Sequence, residues 1–337
     1  MKMRQFEDKF KVSPLLVVLT PVRNEAWILH AFLKATSLWA DYIIIADQMS
    51  TDGSREIYSQ YEKVIVVDNP REEMHQARTR QLLFDAAKKI EGDKILFALD
   101  ADEFLSGDFI NTKSWHMILN SKPGDTFCFR WMNLLENTTQ YYSSKMFYWA
   151  AHMNDDMLNG LFPDNHIHEW RLPWPNRVNN EYKIEDIAFI HFAKVNQKRN
   201  MIKSIFYRVA TAYNDKNYSG IRLYRQYNQE IPITEIYDTP SDIYDFYINR
   251  GININKYINK NDIAPHFLEN IFRMFHDKGL KYYAKLDIWD NDFHVNYQIT
   301  NPQSIIDKVI FTYLRYTQKR TRNLLIRGID YILKKIY

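Results

Sequence analysis

Short apolar runs and helical stripes alternate through the first hundred residues. Residues 15–19, 42–46, 64–67 and 95–99 are apolar runs bounded by polar turn residues, the pattern of strands buried on both faces. Between the first two, Trp27, Ile28, Ala31, Phe32 and Ala35 recur at helical spacing, with Asn24 in front as a helix cap. Residues 50–54, Ser-Thr-Asp-Gly-Ser, have helix-start chemistry and predict a short helix to Tyr61. Over residues 72–90, Met74, Ala77, Leu82, Ala86 and Ile90 form another stripe. Strands that alternate with helices predict an α/β fold with a parallel, doubly wound sheet. In such sheets ligands bind beyond the carboxyl ends of the strands. The polar clusters 20–25, 47–54 and 100–103 fall at those ends.

Residues 105–195 are less regular, with strands expected near 125–132 and 187–192. From 196 onward the pattern is mainly helical. Residues 229–262, polar and interrupted by Pro232 and Pro240, read as an excursion or linker; helices resume at Pro265 and at Gln303. The expected division is a domain of alternating strands and helices over 1–195 and a helical extension over 196–337 that ends in a basic amphipathic tail, 303–337.

Composition narrows the class. The 337 residues are 46% hydrophobic and 25% charged, an ordinary globular balance. A single cysteine, Cys128, rules out an internal disulfide framework and fits a reducing compartment. The first eleven residues are charged, without a signal-like apolar core, and no run is long enough to cross a bilayer. The expected location is cytoplasmic. Net charge is only +3, yet residues 303–337 hold eight basic residues against two acids, a net +6, so residues 1–302 carry −3.

The candidate chemistry centres on residues 95–104, Ile-Leu-Phe-Ala-Leu-Asp-Ala-Asp-Glu-Phe. If the strand ran through them, Asp100 and Asp102 would point the same way. Two adjacent carboxylates repel unless a cation lies between them, and a hard divalent ion is the economical partner. An acidic turn with no ligand is the plainer alternative, since Asp favours turns and caps.

Three motifs then agree. Residues 20–25 (Thr-Pro-Val-Arg-Asn-Glu), 47–54 (Asp-Gln-Met-Ser-Thr-Asp-Gly-Ser) and 100–103 (Asp-Ala-Asp-Glu), each after an expected strand, resemble the family 2 glycosyltransferases in order and spacing. The resemblance covers 13–110 well and extends to about 195. It implies the GT-A fold and an inverting transfer of a sugar from a nucleotide-diphosphate donor to an acceptor hydroxyl, assisted by Mn²⁺ or Mg²⁺. By the same match Asp102 is a metal ligand, Asp100 meets the ribose or a metal-bound water, and Asp47 faces the nucleotide base. Gln48 stands where many members carry a second acid, which leaves the base open. Thr20, Arg23 and Glu25 flank the donor. Arg78 and Arg80 match an arginine-bearing helix; at i, i+2 they do not share a helical face, so one of them, Arg78 in this reading, approaches the diphosphate.

Residues 166–171, His-Ile-His-Glu-Trp-Arg, resemble the His-Glu motif of a branch that includes lipopolysaccharide-core transferases. The match implies Glu169 as general base, with Asp155 and Asp156 as competitors and a salt bridge to Arg171 as the structural alternative. His191, on an otherwise apolar run, is the expected third metal ligand by resemblance, with His168 as the alternative. Trp131, Trp149, Trp170 and Trp174 are candidates for an acceptor site or for the core.

The tail carries Ile305, Ile306, Val309, Ile310, Tyr313, Leu324, Leu325, Ile329 and Ile332 at helical spacing among basic residues. It reads either as a peripheral contact with the inner face of a membrane or as a packed helix with a solvated basic side. The expected partners are a nucleotide sugar and a glycan or lipid-linked acceptor of surface polysaccharide or lipopolysaccharide synthesis. A nucleotidyltransferase is disfavoured because 20–25 holds no glycine for a phosphate loop. A non-catalytic nucleotide-sugar-binding module is the other alternative. No nucleic-acid recognition motif is present.

Overall fold

The computed structural model describes residues 13–70, 75–144, 146–158, 162, 171–173, 179–228, 235–289 and 292–337. The chain divides into two compact units. Unit one is Met1–Val195 with Ile236–Lys260, and unit two is Asn196–Glu235 with Asn261–Tyr337.

Unit one is built on a mixed sheet. Its parallel part joins β1 (Leu15–Val22), β2 (Tyr42–Asp47), β3 (Val64–Asp68) and β4 (Lys94–Ala98) in the order β4-β1-β2-β3. The apolar runs explain this placement, because both faces of the central strands are buried. Along β1 the period of two sends Val18 into one core with Ile43, Ile45, Ile95 and Phe97. Val17 and Leu19 go into the other, with Ile44, Ala46, Leu96 and Ala98. Helix α1 (Ala26–Thr36) covers the first face through Trp27, Ile28 and Phe32. Helix α3 (Gln76–Lys88) covers the second through Ala77, Leu83 and Phe84. The short α2 (Ser54–Tyr58) joins β2 to β3.

Beyond β4 the sheet turns antiparallel. β8 (Phe147–His152) pairs with β4, β6 (Thr126–Leu134) with β8, and β7 (Gln140–Ser143) with β6. β9 (Glu181–His191) lies parallel to β6 and antiparallel to the short β5 (Glu103–Leu105). The helix α4 (Lys113–Leu119) and the single turn α5 (Asp155–Leu158) complete this stretch. The α/β class with helices flanking the sheet is as the residue pattern implies; its parallel pairing holds for β1 to β4, and the antiparallel strands beyond β4 make the whole sheet mixed.

Residues 236–260 differ from the linker expected of them. They fold onto unit one: β10 (Ile236–Asp238) pairs with β7, and Phe246 of α8 (Asp245–Ile248) packs on Phe109 at 4.3 Å between rings. Ile243, Phe246, Tyr247 and Ile254 are buried there. The segment is polar on average, but its few large apolar side chains are the ones that reach the core, and an average over the window hides them.

Unit two is helical. Helix α6 (Gln197–Asn214) packs on α9 (Pro265–Lys278), with Phe206 and Phe267 rings 4.8 Å apart. Helix α7 (Gly220–Tyr227) starts at a glycine for a steric reason: a Cβ at Gly220 would lie 2.0 Å from the Lys285 carbonyl oxygen. α10 (Asp292–Asn296) is one turn. α11 (Ile305–Thr317) and α12 (Leu324–Ile336) pack beside α7 around Ile221, Tyr224, Phe311 and Leu314. Among the described residues, no helix is long and apolar enough to cross a membrane.

Candidate metal and nucleotide site

The carboxyl ends of β1 and β2 are tied together. Asn24 adopts φ 56°, a left-handed turn that asparagine tolerates. Its Oδ1 accepts from the Thr51 N–H at 2.7 Å, and its own N–H donates to Ser50 Oγ at 2.9 Å. The expectation that Asn24 caps α1 is corrected here. The cap position is Glu25, without a side-chain cap, and the free Ala26 N–H donates at 2.9 Å to Asp52 Oδ2 from the neighbouring loop. Asp52 Oδ1 also receives the Ser54 hydroxyl at 2.7 Å. Glu25 accepts the Trp27 indole N–H at 2.6 Å. Asn24, Asp52 and Ser54 thus hold the two loops in register.

Asp47, at the end of β2, is buried, and its Oδ2 lies 3.4 Å from Arg55 Nη2. Arg55 also bridges to Asp68. Burial, with the Asp47 charge beside it, pushes the Tyr58 hydroxyl up to about 12. Asp47 Oδ1 and the Thr20 hydroxyl are buried, and neither has a hydrogen-bond partner among the described residues.

The acidic motif is not part of the strand. β4 ends at Ala98, and Asp100 and Asp102 lie in the turn before β5. The shared strand face expected of them is therefore absent, and the two carboxylates diverge. Asp100 Oδ2 accepts from Arg171 Nη2 at 2.6 Å, and its Oδ1 lies 3.9 Å from Arg80 Nη2. Asp102 Oδ2 faces His191 Nε2 at 3.6 Å.

Strand register brings His191 to this turn. The β5–β9 ladder sets Glu103 opposite His191, and the β6–β9 ladder sets Asn133 opposite the same residue. The Asn133 amide N–H₂ points to the Tyr142 carbonyl at 3.4 Å, so its Oδ1 is the atom 2.7 Å from His191 Nδ1. An oxygen acceptor there requires the proton on Nδ1. In the neutral ring Nε2 then carries the lone pair on the side of Asp102, the tautomer a metal needs.

Glu103 belongs to the same group geometrically: one ligand atom each from Asp102, Glu103 and His191 lies within 4.8 Å of the others. Its oxygens are already committed, however. Oε1 accepts from the Trp131 indole and from Arg171 Nη2, both at 2.9 Å. Oε2 accepts from the Asp100 N–H at 2.9 Å and from Arg171 Nη1 at 2.6 Å. Burial pushes this carboxyl above its ordinary range, while the Arg171 charge pulls it back. All four partners are donors, so the ionised form is the one that satisfies them.

Arg171 lies over the Trp149 ring at 3.7 Å and near Trp131 at 5.2 Å; Trp131 in turn stacks on the His191 ring at 5.1 Å. Among the described residues, two guanidinium groups, Arg80 and Arg171, meet three carboxylates here, and the charge left over falls on Asp102. A carboxylate and an oriented imidazole form a donor set that suits Mn²⁺ or Mg²⁺ with phosphate and water completing the shell.

Of the other expected site residues, Arg23 is half-buried, Arg78 is exposed, and Arg80, two residues on, is the one buried beside Asp100. Asp155 is exposed at the start of α5, and the Asp156 side chain lies outside the described residues. Glu169, His166, His168, Trp170 and Trp174 also lie outside them. Arg171 bonds to Asp100 and Glu103; the alternative of a salt bridge to Glu169 involves a residue outside those described. Sequence reasoning missed Asn133 altogether and gave Arg171 no role of its own. Arg171 sits at the end of a motif already singled out; Asn133 carries no local signal.

Residues 17–170 match the model of glycosyl transferase family 2. That stretch, just under half of the chain, is similar to a family 2 glycosyltransferase domain. The match spans β1 to β8 of the domain, including all three polar motifs. Among curated proteins, none matches the sequence. Solved structures align in part. Glucosyl-3-phosphoglycerate synthase from Mycobacterium tuberculosis, in complex with Mn²⁺, UDP and glucosyl-3-phosphoglycerate, aligns at 17% identity over 37% of this chain and 46% of that one, with a TM-score of 0.26. GalNAc-T7 with UDP, GalNAc and Mn²⁺ aligns at 12% identity over 83% of this chain and 59% of that one, TM-score 0.37. The inositol-1-phosphate CTP transferase from T. maritima aligns at 7% identity over 54% and 91%, TM-score 0.32. Scores this low leave the reading of the domain's site to its own geometry.

Proposed function

We propose that this chain is an inverting, metal-dependent glycosyltransferase that moves a sugar from a nucleotide-diphosphate donor to an acceptor hydroxyl. The observation that carries the reading is Asp102 facing His191 Nε2 at 3.6 Å while Asn133 holds Nδ1 at 2.7 Å. Asp102 and His191 would hold Mn²⁺ or Mg²⁺. A divalent ion there supplies positive charge to the diphosphate leaving group, which needs no proton donor in consequence. Glu103, saturated by four donors, holds Arg171 in place instead of serving as a ligand. Asp47 accepts from the nucleotide base with its remaining oxygen, and the Thr20 hydroxyl lies at the neighbouring strand end. Arg80, through its position beside Asp100, and Arg78, through the family resemblance, are the candidates for the diphosphate. Glu169 is the general base by resemblance to the His-Glu branch, with Asp155 as the alternative. The same resemblance supports a glycan or lipid-linked acceptor and a role in surface polysaccharide or lipopolysaccharide synthesis, and the single cysteine fits a cytoplasmic location.

A thermal-shift screen of nucleotide sugars with and without Mn²⁺ tests donor, base and metal together. One donor should raise Tm in a Mn²⁺-dependent way, and Asp102→Ala should remove that dependence. Glu169→Gln should bind the donor normally and turn over about 10²-fold more slowly, the scale of a lost general base. Donor binding without transfer in the unaltered protein would point to the non-catalytic module. A shift that ignores Mn²⁺ would sink the metal assignment.

A further inference from the structure

We propose that the α11–α12 hairpin of unit two is a docking surface for an anionic phospholipid bilayer. Each helix has an inward stripe: Asp307, Phe311 and Leu314 on α11, Ile326, Asp330 and Tyr337 along α12. The hairpin is fixed on α7 by Arg225. Its guanidinium takes Asp330 through Nε at 3.0 Å and Nη2 at 3.1 Å, the Leu314 carbonyl at 3.0 Å and the Thr317 hydroxyl at 2.6 Å. Packing on α7 therefore accounts for the inward stripes only.

A second apolar stripe faces outward on each helix. On α11, Ile305, Val309 and Tyr316 are 82%, 63% and 80% exposed and follow one another at i, i+4 and i+11. On α12, Leu325, Ile329 and Ile332 follow at i, i+4 and i+7, and Leu325 is 78% exposed. A helix apolar on two sides is ordinarily covered on both.

Charge selects what covers the outer side. The only acids of residues 303–337 are Asp307 and Asp330. Both are turned inward, Asp307 accepting the Ser304 N–H at 2.7 Å in a capping box and Asp330 held by Arg225. The charge that flanks the outer stripes is consequently of one sign, from Lys308 and Arg315 on α11 and Lys335 on α12, all exposed. A second copy of the chain would bring like charge against like charge, whereas an anionic bilayer offers both the apolar interior and the opposite sign. Two helices of 13 residues each are too short to span a bilayer, so the contact lies in the interface plane. The inference uses unit two alone and does not depend on the reaction proposed for unit one.

The test is co-sedimentation of the full chain with vesicles of phosphatidylcholine and phosphatidylglycerol in equal parts, against vesicles of phosphatidylcholine alone. Binding should require the anionic lipid and weaken as salt rises. Lys308→Ala with Lys335→Ala should lower partitioning roughly 25-fold, at about fivefold for each charge removed. Leu325→Asp with Ile329→Asp should abolish it. A thermal melt by circular dichroism should match the parent, and Leu325→Ser with Ile332→Ser provides a gentler second variant. No sedimentation of the parent, equal binding to both vesicles, or variants that bind like the parent would each overturn the proposal. So would a dimer in vesicle-free buffer that the Asp variants dissociate, which would name a second copy as the occupant.

Discussion

In the loops that follow β1 and β2, polar side chains satisfy one another: Asn24 with Thr51, Asp52 with Ala26 and Ser54, Glu25 with Trp27. Past β4 the balance differs. Arg171 takes up Asp100 and Glu103, while Asp102 faces the Nε2 of an imidazole that Asn133 orients through Nδ1. Both regions are acidic loops after parallel strands, and composition does not distinguish them. The difference lies in where each carboxylate finds its donors. Residues that find them in a neighbouring loop become scaffold, and a residue whose neighbours have been claimed keeps its charge for a ligand.

That contrast can be broken experimentally. The largest effect is expected for Asp102→Ala, which should cost transfer roughly a thousandfold or more, the scale of several kcal/mol of lost charge stabilisation, read as kcat/KM at saturating Mn²⁺. Arg171→Ala should destabilise the domain by about 3–5 kcal/mol, because two buried or half-buried carboxylates lose their counter-charge; a urea midpoint measures it, and a change below 1 kcal/mol would mean that Glu103 is held by something else. Asn133→Ala should weaken Mn²⁺ binding roughly 10- to 100-fold in calorimetry with little change in Tm, since it acts on the His191 tautomer. The smallest effect belongs to the scaffold side. Asp52→Ala should lower stability by about 1 kcal/mol, the usual value of a lost helix-terminal acceptor, and leave Mn²⁺ affinity unchanged. If Asp52→Ala lowered Mn²⁺ affinity as much as Asn133→Ala does, the division between scaffold and site would be wrong.

Residues 236–260 teach a related lesson. Their polarity reads as a linker, yet Phe246 and Tyr247 seat in the core of unit one and Ile236 begins an edge strand. A few large side chains outweigh a polar average, since burying one is worth about 1.5–3 kcal/mol. Asn24 shows the limit of local capping rules: the sequence neighbour has the right chemistry, but Asp52, from the adjoining loop, supplies the acceptor.

What the amino-acid order determined alone was local and periodic. Four apolar runs with helical stripes between them dictate an α/β sheet buried on both faces, and each polar cluster falls at a strand end because that is where the runs stop. Asp102 and His191 stood out for the same reason, as polar residues against apolar runs. Only the tertiary structure decided how they are used. The β5–β9–β6 register sets Glu103, His191 and Asn133 side by side from three distant stretches of chain, and Arg171 reaches back to residues some seventy positions earlier. Pairing of that kind rests on hydrogen bonds between remote backbones, and the residues on either side of each bond carry no local mark of it.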